Sequence, residues 1–340
     1  MANCGKPRID WACTAIDLAA KSETSSQYTR HALYHPMSTS RPPTLDANAA
    51  ARWAALSTPQ TEAASPWLHE EVARRMEDRL QWMTLKPATW LHWEPLRGGV
   101  QAQTLLERRY PDSECFVLEA QVDRARAASK LIAKPWWNVK HWTGPKQRFE
   151  APPAPVQMLW ANMALHMAPD PQALISQWHS LLASDGFLMF SCLGPDTLGQ
   201  LRRVYAQQGW PLPSHDFTDM HDWGDMLVGA GFAEPIMDME RITLSYSSPE
   251  ALLDELRQLG RNLNIHRFKG LRGQGWKARW LDAVRTGLTP AGGDGRLSLT
   301  FEVVYGHAFK PKPRLAVAPQ TSISLDEMRT ALRQPRSGVA

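Results

Sequence analysis

The strongest constraint on this chain is its alternation of short apolar runs with amphipathic segments. Glu114–Leu118 (ECFVL), Val156–Trp160 (VQMLW) and Phe187–Cys192 (FLMFSC) are almost continuously apolar. Strands buried on both faces need that pattern, whereas a strand with one wet face alternates. Between them lie helical stretches: Val100–Arg109, Gln121–Lys130, Pro171–Leu182, Asp196–Gln207 and Asp219–Ala230. Asp219 reads as the N-cap of the last and Gly231 as its C′ residue. Upstream, Leu68, Val72, Met76, Leu80 and Met83 share one helix face behind Ser65-Pro66, read as cap and first helical position. Ala88–Trp93 reads as a strand, and Pro235–Tyr246 and Leu297–Phe309 as alternating strands. Helices over Pro249–Leu263 and Trp276–Val284 separate the last two strands. The spacing therefore predicts an α/β fold with a doubly wound parallel sheet. Such sheets bind ligands beyond the carboxyl ends of their strands, where Glu119, Asn162 and Leu193–Thr197 fall.

The flanks read differently. Residues 1–60 are rich in Ser, Thr, Ala and Pro without a period and are expected to be disordered. Met37-Ser-Thr-Ser-Arg-Pro-Pro resembles an ordinary protein start, so residues 1–36 are expected to come from an over-long reading frame. Residues 310–340 are expected to form a flexible tail, with a short helical pattern near Leu325–Leu332. The four cysteines (Cys4, Cys13, Cys115, Cys192) form no Cys-x-x-Cys pair, which argues against a disulfide framework or thiolate zinc site. No secretory leader pattern and no apolar run of membrane-spanning length is seen, so a cytoplasmic location is expected. The net charge of +4, from 38 basic and 34 acidic residues, does not suggest a dedicated nucleic-acid binder.

A few residues could carry chemistry. Glu119 lies just past the second strand, about twenty residues after a glycine turn, where a carboxylate can accept from both ribose hydroxyls of a nucleotide. A solvated loop glutamate fits the same spacing. Gly98-Gly99 could let backbone approach a ligand, or could be an ordinary turn. His215, Asp216, Asp219, His221 and Asp222 read better as a turn and helix N-terminus than as a metal site. Arg257, Arg261, Arg267, Lys269, Arg272, Lys277 and Arg279 are interleaved with His266, Phe268, Trp276 and Trp280. An acidic partner, a nucleic acid and a solvated helix face all fit that set. The Trp-rich segment Lys134–Trp142 is expected to pack as core.

Four stretches form a more specific pattern: Asn162–His166 (NMALH), Leu188–Thr197 (LMFSCLGPDT), Asp219–Tyr246 and Glu302–His307 (EVVYGH). They resemble the class I S-adenosylmethionine-dependent methyltransferases of biotin synthesis, which methylate the free carboxyl of malonyl–acyl carrier protein. The resemblance covers roughly Leu80–Phe309 and is strongest from Trp160 onward. It implies a Rossmann-like seven-stranded sheet with the last strand antiparallel, a methyltransferase domain over 65–309, and a helical cap over 249–285. It further implies S-adenosylmethionine held by Trp93, Gly98, Gly99, Glu119, Ala120, Asn162 and Leu165. Pro195, Asp196, Thr197, Arg202 and Tyr305 would meet the acceptor, with Arg202 gripping its carboxylate. A malonyl-loaded acyl carrier protein would dock on the basic insert 257–279, with no nucleic acid or membrane involved. The pattern departs from the family at the first loop, where His92 replaces an acid and only Gly98-Gly99 remain of three glycines. The acid expected after the third strand has no match. A degenerate relative acting as an interaction partner is therefore the competing reading, and the Leu91–Gly99 loop discriminates between them.

Overall fold

In a computed structural model, which describes residues 45–56, 65–133, 146–292 and 294–313, the buried runs form one seven-stranded sheet. The strands are β1 (Thr89–Trp93), β2 (Glu114–Leu118), β3 (Gln147–Arg148), β4 (Val156–Ala161), β5 (Leu182–Leu193), β6 (Ala233–Tyr246) and β7 (Leu297–Phe309). Their spatial order is β3-β2-β1-β4-β5-β7-β6. The first five are parallel, while β7 runs antiparallel to both β5 and β6. The order reverses between β1 and β4, so the crevice expected for a ligand opens above their carboxyl ends.

Period-2 alternation divides the core. Trp90, Met158, Trp160, Phe187 and Met189 face one layer, made by α2 (Trp67–Arg79), α4 (Ala102–Arg109), α7 (Gly199–Gln207), α9 (Pro249–Leu259) and α10 (Gln274–Leu288). Leu91, Leu159, Leu188 and Phe190 face the other, where Trp178 of α6 (Pro171–Leu181) and Trp223 of α8 (Met220–Gly229) pack. Trp90, Trp160, Trp178 and Trp223 are all at most 1% exposed, and each such side chain contributes roughly 1.5–3 kcal/mol or more through burial. The many tryptophans thus fill both layers. A further helix, α5 (Val122–Ile132), follows β2.

Several boundaries match the sequence pattern to the residue, including Glu114–Leu118 and Leu297–Phe309. Asp219 caps α8 through the His221 amide, and Gly231 follows with φ +97°, a conformation that favours glycine. Others differ. Ser65 does not cap α2; its hydroxyl accepts from Val100 N and donates toward the carbonyls of Pro95 and Leu96. Residues 196–198 form a turn, so α7 starts at Gly199. Within the span expected to be disordered, α1 (Ala47–Ala55) forms, capped by Asp46, whose side chain accepts from the amides of Asn48 and Ala49. Its fixed position comes from long-range bonds that no local period reveals: Asp46 N donates to Leu263 O, and Asp46 pairs with Arg267 at 2.6 Å. The segment 134–142 and the Leu325–Leu332 pattern lie outside the described residues.

Candidate active site

The first loop begins where β1 ends. Glu94 takes a left-handed conformation, φ 46°, and Pro95 starts the one-turn helix α3 (Pro95–Gly98). That turn lies on the end of β4. A Cβ on Gly98 would stand 2.7 Å from the Asn162 carbonyl oxygen, so only glycine permits the approach. The Asn162 side chain fixes it: Nδ2 donates to the carbonyls of Gly98 and His69, and Oδ1 accepts from Ser191 Oγ at 2.5 Å.

Glu119 stands beneath the same turn. Its Oε1 accepts from Leu96 N at 2.9 Å, and Oε2 lies 3.4 Å from the Arg124 guanidinium. Arg124 is 1% exposed and also pairs with Glu94 at 3.1 Å. Burial pushes the Glu119 carboxyl up to about 7, opposed by the Leu96 amide and the arginines. Glu70 of α2 reaches the far side of the loop and accepts from Val100 N at 2.9 Å and Gln101 N at 3.1 Å. Burial raises its carboxyl too.

These observations test whether S-adenosylmethionine fits. Glu119 and Asn162 are residue types that could hold it. Glu119 Oε1 and Asn162 Nδ2 bond the backbone of the loop that crosses them, while Glu119 Oε2, 3.4 Å from Arg124, is buried without a hydrogen-bond partner among the described residues. An orphaned buried acceptor at that strand end suits a ribose hydroxyl, so these residues fit the group. Neither of the loop's bulky side chains fills the crevice. Trp93 points into the opposite layer against Trp178, with ring centroids 6.0 Å apart. Arg97 reaches α1, stacking 4.2 Å over Trp53 and donating to the carbonyls of Trp53 and Leu56. Burial and the neighbouring Arg124 lower Arg97 to about 10.

The remaining expected residues separate. Gly98, Glu119 and Asn162 converge on the crevice, whereas Gly99, with φ +117°, lies against Glu70, Ala73 and His69 of α2. Leu165 is core, and Ala120 is exposed beside Glu119. Asp196 and Thr197 are bound to Glu302 of β7: Asp196 N donates to its carboxylate, and Thr197 Oγ1 donates to its carbonyl. Asp196 also pairs with Arg241. Arg202 Nη1 donates to Pro195 O at 2.7 Å. Tyr305 lies apart from these, donating to Glu240 under the Arg79 guanidinium.

A second feature lies beside the β5–α7 loop, among α7, α9 and α10. It is a cavity of about 240 Å³, walled mainly by apolar residues such as Leu198, Leu201, Leu253, Trp276 and Phe301. Two buried histidines line it, His166 and His215, with Phe217 packed edge-on against both. Arg257 of α9 and Arg261, just past that helix, line it as well. Sequence reading assigned no role to Glu70 or His166, and took His215 as part of a turn. His166 follows Asn162 by one helical turn and could have been found from that spacing. Glu70, an acid between Leu68 and Val72 on a buried face, gave the other available signal.

No family model matches the chain. Relatives of named function do. A malonyl-[acyl-carrier protein] O-methyltransferase of Gallionella capsiferriformans is 38% identical over 261 residues, 74% of this chain and 87% of that protein. Those of Laribacter hongkongensis and Methylovorus sp. are 35% and 33% identical, covering 84% and 87% of their lengths. Among solved structures, a methyltransferase of unassigned substrate from Bacillus halodurans aligns over 71% of this chain and all of its own, at 15% identity and TM-score 0.46. By its identity to the sequence relatives across most of their length, this chain belongs to the malonyl-[acyl-carrier protein] O-methyltransferase family.

Proposed function

We propose that the chain is an S-adenosylmethionine-dependent O-methyltransferase that esterifies the free carboxyl of malonyl-[acyl-carrier protein]. The observation that carries this reading is 38% identity to a protein of that name across 87% of its length. S-adenosylmethionine supplies a methyl group already activated as a sulfonium. The acceptor is a carboxylate, ionised at neutral pH, so it attacks without a general base. What remains for the protein is to hold the acceptor in line and keep water out.

The cap suits that work. Arg202 stands behind Ser214, a wall residue of the cavity, at 3.5 Å, and is the guanidinium we assign to the acceptor carboxylate. An acidic carrier protein would dock on 257–279. There Leu271 is fully exposed, Phe268 is half exposed, and Arg272 stacks on Phe268 and Trp276. Apolar anchors ringed by arginine are the composition expected of such a surface. For the cofactor to reach Glu119, the Glu94–Gly98 segment must lift off Asn162.

The test is incubation of purified chain with S-adenosylmethionine and malonyl-carrier protein, read by mass spectrometry of the carrier. One added methyl on the malonyl group, absent with acetyl-carrier protein, is the expected result. A folded sample that leaves the malonyl carrier unmethylated overturns the reading.

A further inference from the structure

The short helix α1 is held at its two ends by two different parts of the molecule. Its nine residues are too few for a stable helix in water, where ~12–15 are needed even in alanine-rich sequence. Its order therefore comes from what it touches. At its start, Asp46 N donates to Leu263 O, the Asp46 carboxylate pairs with Arg267 at 2.6 Å, and Leu45 bridges Asn264. Ala49 and Ala50 pack with Leu263 in a small apolar cluster of their own. At its far end, the Arg97 guanidinium donates to the carbonyls of Trp53 at 2.5 Å and Leu56 at 3.2 Å. The last carbonyls of a helix lack partners within it and carry its negative end, which favours a cation.

Arg97 depends on that end in turn. Burial costs the guanidinium its water, and it makes no ion pair among the described residues. The two α1 carbonyls and the Trp53 ring take its charge instead. Arg97 also sits inside the turn that crosses the crevice. On one side of it Leu96 N donates to Glu119, and on the other Gly98 O accepts from Asn162. The turn is only four residues long, so it cannot rise from Asn162 and leave Arg97 behind. Lifting it takes Arg97 off α1. A nine-residue helix that loses the contacts at one end has little left to keep it ordered.

We propose that α1 is a clasp on the first loop: while the helix is ordered it holds the Pro95–Gly98 turn down over the crevice, and release of the helix at either end frees the turn to open. Residues 263–267 then control a crevice with whose loop they share no hydrogen bond among the described residues. The proposal rests on the methyltransferase reading only for the ligand that enters the opened crevice; the clasp itself is tested without one.

Native-state amide exchange reads the turn directly at Leu96, Gly98 and Gly99, whose N–H groups bond to Glu119 Oε1, Glu94 O and Pro95 O. Three variants of the full chain act at three places. Arg97→Gln cuts the loop end and Arg267→Gln the far end. Ala50→Pro breaks the helix between them, since proline removes the N–H that donates to Asp46 O. Each should speed exchange of the turn amides about tenfold, as loss of one charge-assisted bond or one helical turn predicts. Amides inside β4 should keep the wild-type rate, which reports an intact domain. Arg97→Gln combined with Arg267→Gln should add less than about twofold to either alone, because a clasp opens only once. Faster exchange confined to residues 46–56 in Arg267→Gln and Ala50→Pro overturns the proposal and leaves α1 as packing alone. So does a fully multiplicative effect in the double variant. The same variants should associate with S-adenosylhomocysteine about fivefold faster in stopped flow, and an unchanged rate beside faster turn exchange overturns the clasp as a gate. Failure of folded wild type to bind S-adenosylhomocysteine counts against the cofactor reading, and the exchange rates then decide the clasp by themselves.

Discussion

Two neighbouring regions above the sheet are built from different chemistry. In the crevice over β1 and β4, Glu119, Glu70 and Asn162 are bonded to the loop that crosses them. The cavity beside the β5–α7 loop is walled mainly by apolar side chains such as Leu198, Leu201, Leu253, Trp276 and Phe301. A crevice crossed by a bonded loop must break those bonds before it admits a ligand. An apolar wall gives up no hydrogen bonds when it is covered. The crevice is therefore the costlier side of this molecule to open, and the cavity the readier one.

The contrast can be broken hardest at Asn162. Asn162→Ala removes bonds to Gly98 O, His69 O and Ser191 Oγ in a buried site, and should cost about 3–4 kcal/mol in denaturant unfolding. A loss under about 1 kcal/mol would mean that the loop is not held there. Next comes Gly98→Ala, whose methyl meets backbone rather than a movable side chain. Displacing the turn should cost about 2–3 kcal/mol. The same variant should bind S-adenosylhomocysteine faster in stopped flow, since it starts partly open. Unchanged association would show that the turn is not the barrier.

Glu119 sharpens the comparison through pH. Its folded value of about 7 lies above the unfolded value near 4.5. Between those values the folded chain binds more protons, so stability falls as pH rises through this window, by about 3 kcal/mol for this group. Glu119→Gln should flatten that part of the stability curve relative to wild type. Parallel curves would show that Glu119 does not titrate there. The smallest effect is expected for Ser65→Ala. Removal of its hydroxyl from Val100 N and the Pro95 and Leu96 carbonyls should cost about 1 kcal/mol, with faster amide exchange at Val100.

The sheet was legible because it rests on local chemistry. Continuous apolar runs marked β2, β4 and β5, and alternation marked β6 and β7. Glu119 and Asn162 were also placed correctly just past strand ends, since strand ends are set by the same runs. What those residues bond was not legible. Glu119 reads as a ribose acceptor by spacing, yet its partner is an amide 23 residues upstream, chosen by the path of the loop. Ser65 looks like a cap because Pro follows it, and a tertiary partner 35 residues away claims its hydroxyl instead. The helix α1 was invisible because it is a nine-residue Ala-rich stretch set in a Ser-, Thr- and Pro-rich flank, and distant arginines hold it in place. The partners of His166 and His215 were unreadable because the Leu193 amide and the His166 carbonyl are brought to those rings only by the fold.

Trp53 lies between the two regions. Arg97 of the first loop stacks on it at 4.2 Å and Arg261 of the cap at 5.2 Å. A ligand that pulls either guanidinium away alters the free energy of the ring's contact with the other. By thermodynamic linkage the influence is mutual: whatever factor a ligand at the first loop imposes on the affinity of a ligand at Arg261, that second ligand imposes in return. Replacement of Trp53 should reduce that shared factor toward one, so that each ligand binds as though the other were absent.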